Sequence, residues 1–274
     1  MGRRSRYVRD KREARERAAF VEEARIATAM TRGCLFCREV SGGFASVEHI
    51  VPESMGNTTF VLPRGVVCDH CNHGILSDLD NALCGFAPFA MRRTMLGIPS
   101  KGGTIPEFRS SQGTMKFIPG VGGADPTLEF RSHSPKNPML IPTPLPDGKV
   151  ELNLSLKGGK PLRPKYASQI SRALLKVALE AAWLDHGEVM LEPRFDHVRS
   201  AVLGEARAGF VAVAGRANPN DAAAGVTYDF IEGSDGWRIG MGLLYAGVLV
   251  VTDSRLTGLP RDAIGQVEEF TFDR

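Results

Sequence analysis

Four cysteines stand in two pairs, Cys34-Leu35-Phe36-Cys37 and Cys68-Asp69-His70-Cys71, with thirty residues between them. A CxxC turn sets two thiolates on one side of a tight knuckle. Two knuckles supply the four sulfurs of a tetrahedral zinc ion. The spacing predicts a structural Zn2+ held by Cys34, Cys37, Cys68 and Cys71. A shell of four sulfurs leaves no position for water or substrate, so such a metal folds the segment and leaves the chemistry to other residues. A redox role for either pair is disfavoured, because no βαβ pattern surrounds them. The fifth cysteine, Cys84, follows Leu83 and reads as a small core residue.

Between the knuckles lies Val47-Glu48-His49-Ile50-Val51-Pro52, and Asn72 follows the second pair directly. Alone, Glu48-His49 is a surface acid beside a hydrogen-bonded histidine, and Asn72 is an ordinary helix cap. In combination the order is CxxC, strand, EHIVP, strand, CxxCN, helix. With these motifs, residues 34–84 resemble the zinc-containing HNH endonucleases, in the subgroup whose first motif reads EHIxP and whose last reads CxxCN. The resemblance covers under a fifth of the chain. It implies a ββα-metal finger whose first strand ends at His49. The second strand would run toward Cys68 through Thr59–Val67, and the helix would begin near Asn72. It also implies a metal-dependent endonuclease that hydrolyses DNA phosphodiester bonds to leave a 5′-phosphate and a 3′-hydroxyl, with defence or restriction as a candidate setting.

The resemblance assigns His49 as general base and Glu48 and Asn72 as ligands of a catalytic Mg2+ or Mn2+. The chemistry agrees. A neutral imidazole suits proton abstraction near pH 7, and carboxylate and amide oxygens are hard donors for those ions. His73 is a further candidate ligand. On a regular strand Glu48 and His49 point to opposite faces, so both can serve one site only where the strand ends and twists. One departure stands out. The family's middle asparagine, which orients the histidine, has no counterpart in Phe60-Val61-Leu62-Pro63-Arg64-Gly65, and Asn57 is displaced from it. That gap motivates a second reading, a non-catalytic zinc-stapled module that binds nucleic acid or protein. Asp78, Asp80 and Asn81 read as solvent-facing residues of the finger helix.

The elements around this segment are those of an α+β protein. Residues 1–32 read as a basic helical arm, 33–84 as the zinc module, and 85–274 as a larger α+β domain with an antiparallel sheet, for substrate recognition or dimerisation. In that last part, Ile170, Leu174, Val177, Ala178, Ala181 and Leu184 recur at helical spacing within Lys165–His186, and Gly187 is a good stop. A short helix follows over Phe195–Leu203. Strand-like runs lie at Thr114–Ile118, Thr127–Arg131, Val150–Leu156, Gly209–Ala214, Val226–Ile231, Trp237–Leu243, Val248–Thr252 and Val267–Phe272. Pro142, Pro144 and Pro146 punctuate a loop. Arg163, Lys165, Arg172 and Lys176 read as a basic, solvated face.

The 274 residues give ample chain for a buried core, and five cysteines are too few and odd in number for a secreted disulfide scaffold. The net charge of +3 hides an asymmetry. Residues 1–32 carry ten Arg and Lys against five acids, while residues 33–84 carry two against six. A basic arm beside an acidic metal module suits a nucleic-acid partner, probed by Arg3, Arg4 and Arg6. Arg92, Arg93 and Lys101, just past the finger, are further candidate phosphate contacts. The expected partner is double-stranded DNA, and a double-strand cut from one finger per chain would favour a homodimer. The charged start, Met1 to Arg17, lacks the apolar stretch of a signal peptide. The longest apolar run, Ile239–Val251, is too short to span a bilayer. The expectation is a cytoplasmic protein with no membrane partner.

Overall fold

The two knuckles close a small finger. In the computed structural model, described for residues 32–136, 138, 140–144, 146, 150–154, 164–206, 211–214, 227–233, 236–243 and 246–251, strand β1 (Glu48–His49) pairs antiparallel with β2 (Val61–Leu62). Glu48 lies opposite Leu62, and His49 opposite Val61. The connection between them contains a 3-10 turn, Glu53–Met55. A helical turn, α1 (Asp69–Cys71), runs through a kinked stretch, Asn72–Leu76, into α2 (Ser77–Gly85). The finger helix expected from Asn72 is therefore not one smooth cylinder. Gly74 takes a non-helical conformation inside it and kinks the chain there.

Helix α3 (Ala87–Met95) begins after Phe86 with Pro88 at its first turn, where the missing proline N–H costs nothing. The sequence pattern predicts strands and no helix between the finger and Lys165. Thr94 is fully buried, and its hydroxyl donates to the carbonyls of Ala90 and Pro106 at 3.1 and 2.9 Å, tying the helix to the following loop. Strands β3 (Phe108–Arg109), β4 (Gly113–Ile118) and β5 (Thr127–Ser132) form an antiparallel sheet. It packs on α3 through a small cluster of Met91, Phe108 and Met115. Strands β6 (Leu140–Pro144) and β7 (Val150–Leu154) pair separately. Pro142 and Pro144, expected in a loop, thus lie in a strand, where a two-stranded ladder tolerates their missing donors.

Helix α4 (Pro164–His186) and helix α5 (Asp196–Leu203) match the periodicity within a residue or so. The last described sheet is antiparallel, in the order β8 (Val211–Ala214), β11 (Ala246–Val251), β10 (Gly236–Leu243), β9 (Thr227–Gly233). The arm at residues 1–31 and the expected strand Val267–Phe272 lie outside the described residues. No helix among the described residues is long and apolar enough to cross a membrane.

One apolar core joins the finger to α4 and α5. Leu35, Phe36, Ile50, Leu62, Leu76, Leu79 and Leu83 of the finger share it with Ile170, Leu174, Val177 and Ala181 of α4 and Val198 of α5. Burying each such aliphatic side chain contributes roughly 1.5–3 kcal/mol. From Ile170 to Ala182, α4 is buried on nearly every face, as expected of a helix at the centre of a core. Lys176 lies within this stretch and is 0% exposed, so it does not belong to a solvated basic face. The neighbouring Arg172 is also committed, donating twice to the carbonyl of Val202 at 2.9 and 3.0 Å.

Candidate active site

The four sulfurs of Cys34, Cys37, Cys68 and Cys71 lie within 4.8 Å of one another. A tetrahedral zinc with bonds of about 2.3 Å requires sulfurs about 3.8 Å apart. Cys37 Sγ and Cys68 Sγ are 3.7 Å apart. Backbone N–H groups of Phe36 and Cys68 point to Cys34 Sγ, and that of Cys71 to Cys68 Sγ, each at 3.4 Å. Such donors favour thiolates. The hydrogen bond from Cys71, aided by those from the backbone, lowers the Cys34 thiol to about 5. Burial and the Cys34 charge push Cys68 up to about 12, and the bond to Cys34 together with burial raises Cys71 further. Without a cation the cage holds one thiolate readily and resists the others. A dication resolves that conflict, so the residues fit zinc. The knuckles need their glycines. A Cβ on Gly33, which sits at φ +82°, would fall 2.1 Å from the Arg38 carbonyl oxygen. Cys84 is half-buried and packed against the core, its thiol pushed up to about 11 chiefly by burial.

The frame fixes the strand that follows. Asp69 accepts from Ala45 N, Ser46 N and Ser46 Oγ, and the Ser46 bonds hold its carboxyl below the usual carboxylate range. Ser46 Oγ also lies 3.1 Å from His73 Nε2, and Asn72 Nδ2 donates to the Val47 carbonyl at 3.2 Å. The start of the kinked stretch is thereby laced to the residues just before β1. Beyond β1, Asn57 is buried and acts as a clamp. Its Nδ2 donates to the carbonyls of Val51 and Phe60, both at 2.7 Å, and its Oδ1 accepts from the N–H groups of Thr59 and Phe60. Asn57 fixes the backbone of the β1–β2 loop, not the histidine ring. The His49 Nδ1 is buried with no hydrogen-bond partner among the described residues.

Glu48 and His49 do alternate. Glu48 is 4% exposed and turns into the core, while His49 is half-buried. The Glu48 carboxylate meets Lys176 of α4, with Nζ 2.5 Å from Oε1. The same ammonium donates to Asp80 Oδ1 at 2.9 Å and to the His49 carbonyl at 3.2 Å, and lies 3.4 Å from Glu180 Oε2. Asp80 is therefore not the solvent-facing acid expected from its place on α2. Burial raises the carboxyl groups of Glu48 and Asp80, opposed by the Lys176 charge, and raises Glu180 well above the ordinary value. Burial works against the Lys176 charge, but its three acids outweigh this and hold it above the usual lysine value. From the sequence Lys176 reads as part of a solvated basic face, and Glu180 carries no assignment. A Lys and a Glu four apart inside an otherwise apolar helical stripe were the available signal.

Of the candidate phosphate contacts, Lys101 is exposed, and its charge is felt at both Glu48 and Asp80. Arg92 is half-buried. Arg93 is only 7% exposed, which removes it from the surface and corrects its assignment as a DNA contact. The last turn of α3 rolls it inward toward Cys84, whose thiol feels its charge. Arg3, Arg4 and Arg6 lie outside the described residues. The four sulfurs are the one grouping of three or more Cys, His, Asp or Glu ligand atoms with metal spacing among the described residues. Of the donors expected for a second metal, Glu48 already engages Lys176, whereas Asn72 and His73 stand at the finger surface.

A family model described as HNH endonuclease matches residues 34–84, the segment that runs from the first knuckle to the end of α2. No curated protein and no solved structure matches the chain. The similarity to HNH endonucleases is confined to this segment.

Proposed function

We propose that this protein is a divalent-metal-dependent endonuclease that hydrolyses phosphodiester bonds in double-stranded DNA, with His49 as its general base. The observation that carries this reading is the placement of His49. It ends a strand framed by four zinc-spaced sulfurs, inside a segment that matches the HNH endonucleases. A neutral imidazole at that strand end can take the proton of an attacking water. Asn72 and His73, directly after the second knuckle, are the accessible donors for Mg2+ or Mn2+, and Glu48 can join them only by leaving Lys176. Such a metal, when bound, supplies a Lewis acid for the scissile phosphate. Lys101 contributes positive charge on the DNA side, with the basic arm of Arg3, Arg4 and Arg6 as a second contact. A defence or restriction role and a homodimer belong to the same proposal.

The test is supercoiled plasmid incubated with zinc-loaded protein and Mg2+ or Mn2+. Nicking that disappears when the divalent metal is omitted supports the reading, and no nicking under any metal overturns it. The engagement of Glu48 by Lys176 favours one alternative, a zinc-stapled binding module without catalysis. Calorimetry with Mn2+ separates the two. A binding site lost in Asn72→Ala argues for the enzyme, and no binding argues for the module.

A further inference from the structure

A cluster of buried charge lies directly behind the strand that carries His49. Lys176 is fully buried at the centre of α4, more than ninety residues from any of its finger partners in sequence. Its ammonium faces three carboxylates, Glu48, Asp80 and Glu180. Side-chain exposures are 0% for Lys176 and Glu180, 5% for Glu48 and 24% for Asp80. Replacing such a cluster with apolar residues of like volume is often neutral or stabilising, so stability alone does not explain it. Its geometry suggests another reason. One Nζ holds the Glu48 carboxylate, the His49 main-chain carbonyl and the α2 carboxylate of Asp80 at once. These three groups belong to β1 and α2, the strand and helix of the finger. No ladder longer than two residues steadies β1 itself, and the imidazole Nδ1 has no hydrogen-bond partner among the described residues to orient the ring.

We propose that Lys176 is a positioning residue of the nuclease centre, which pins the main chain of His49 and the side chain of Glu48 to α2 from behind. The nuclease centre then includes a residue from outside the matched segment, and α4 completes it. The inference rests on the endonuclease reading. Lys176 is too deeply buried to touch DNA, so it acts on the placement of His49 and not on substrate binding. A misplacement of about 1 Å at a reacting group costs on the order of 100-fold in rate. The expected signature of its loss is a fall in kcat with little change in KM.

The experiment compares parent, His49→Ala, Lys176→Met and the double variant Lys176→Met/Glu180→Gln in plasmid nicking with Mn2+, with zinc content and a thermal melt for each. The single variant strands three buried acids and can fail to fold. The double variant removes one of those acids and keeps the test open. The expected result for the double variant is full zinc, a cooperative melt, KM within about threefold of the parent, and kcat lower by about 100-fold. A folded double variant with parental kcat overturns the role of Lys176 while leaving the nuclease reading intact. A parent that does not nick overturns both.

Discussion

Removing the Lys176 ammonium tests whether the acids around it are ionised in the folded protein. Lys176→Met leaves Glu48, Asp80 and Glu180 facing one another without a cation. Breaking a buried pair by deleting one partner costs about 3–5 kcal/mol, against about 0–1 kcal/mol for an exposed pair. The 0% exposure of Lys176 and Glu180 puts the cluster in the first class. In a chain of this size each kcal/mol moves Tm by about 2–4 °C, so the loss should be roughly 6–20 °C. The pH dependence fixes the sign. Burial raises all three acids above their ordinary values. Above the ordinary carboxylate range, the folded state therefore binds more protons than the unfolded state, and stability falls as pH rises. Without the ammonium the acids rise further and retain more protons. The deficit of Lys176→Met should then be larger at about pH 8 than at about pH 6, by up to about 1.4 kcal/mol per pH unit for each extra proton held. Melts at both pH values, with zinc content measured alongside, read this directly. A loss below about 1 kcal/mol, or a deficit that does not grow with pH, would refute the idea that the ammonium is buried among ionised acids.

Three further outcomes follow from the finger and its surface. Cys37→Ser should drop zinc content, measured by elemental analysis, below one per chain and remove the cooperative melt of the finger, because metal binding and folding are coupled; retention of a full zinc would show that the cage does not need four sulfurs. Asn57→Ala deletes four hydrogen bonds of a buried clamp and should cost about 2–4 kcal/mol in denaturant unfolding; a loss within about 0.5 kcal/mol would show that the β1–β2 loop is held otherwise. Lys101→Ala should flatten the dependence of log affinity for DNA on log salt by about 0.9, while Arg93→Ala should lower Tm and leave that slope unchanged; anisotropy titrations over a salt series distinguish a phosphate contact from a buried arginine.

Much of this site is legible in the sequence because its determinants are local. CxxC spacing, a strand that ends at His49, and Asn72 directly after Cys71 are short-range patterns, and the cage and the end of β1 follow from them, while β2 shrinks from the expected Thr59–Val67 to Val61–Leu62. The periodicity of α4 carried in the same way. What escaped the sequence depends on contacts between distant segments. Lys176 reaches His49 across 127 residues, and a Lys–Glu pair inside an apolar stripe marks a buried charge without naming the acids of β1 and α2 that it meets. Asp80 looked exposed for the same reason, since its partner is on another helix. Arg93 reads as a phosphate contact from its place just past the finger, but it lies in the last turn of α3 and is buried. The kink within Asn72–Leu76 lies at Gly74, a glycine that reads as merely permissive until its conformation is seen.

The central claim is that His49 is the base of a phosphodiester hydrolase. The most direct measurement compares the nicking rate of zinc-loaded parent and zinc-loaded His49→Ala on one supercoiled plasmid with Mn2+. His49 is half-buried at a strand end, so its truncation should leave zinc content and the melt unchanged. The account predicts nicking by the parent and a rate lower by roughly 10²–10⁴-fold in the variant. Equal rates for the two proteins, or a parent that leaves the plasmid supercoiled, would contradict it.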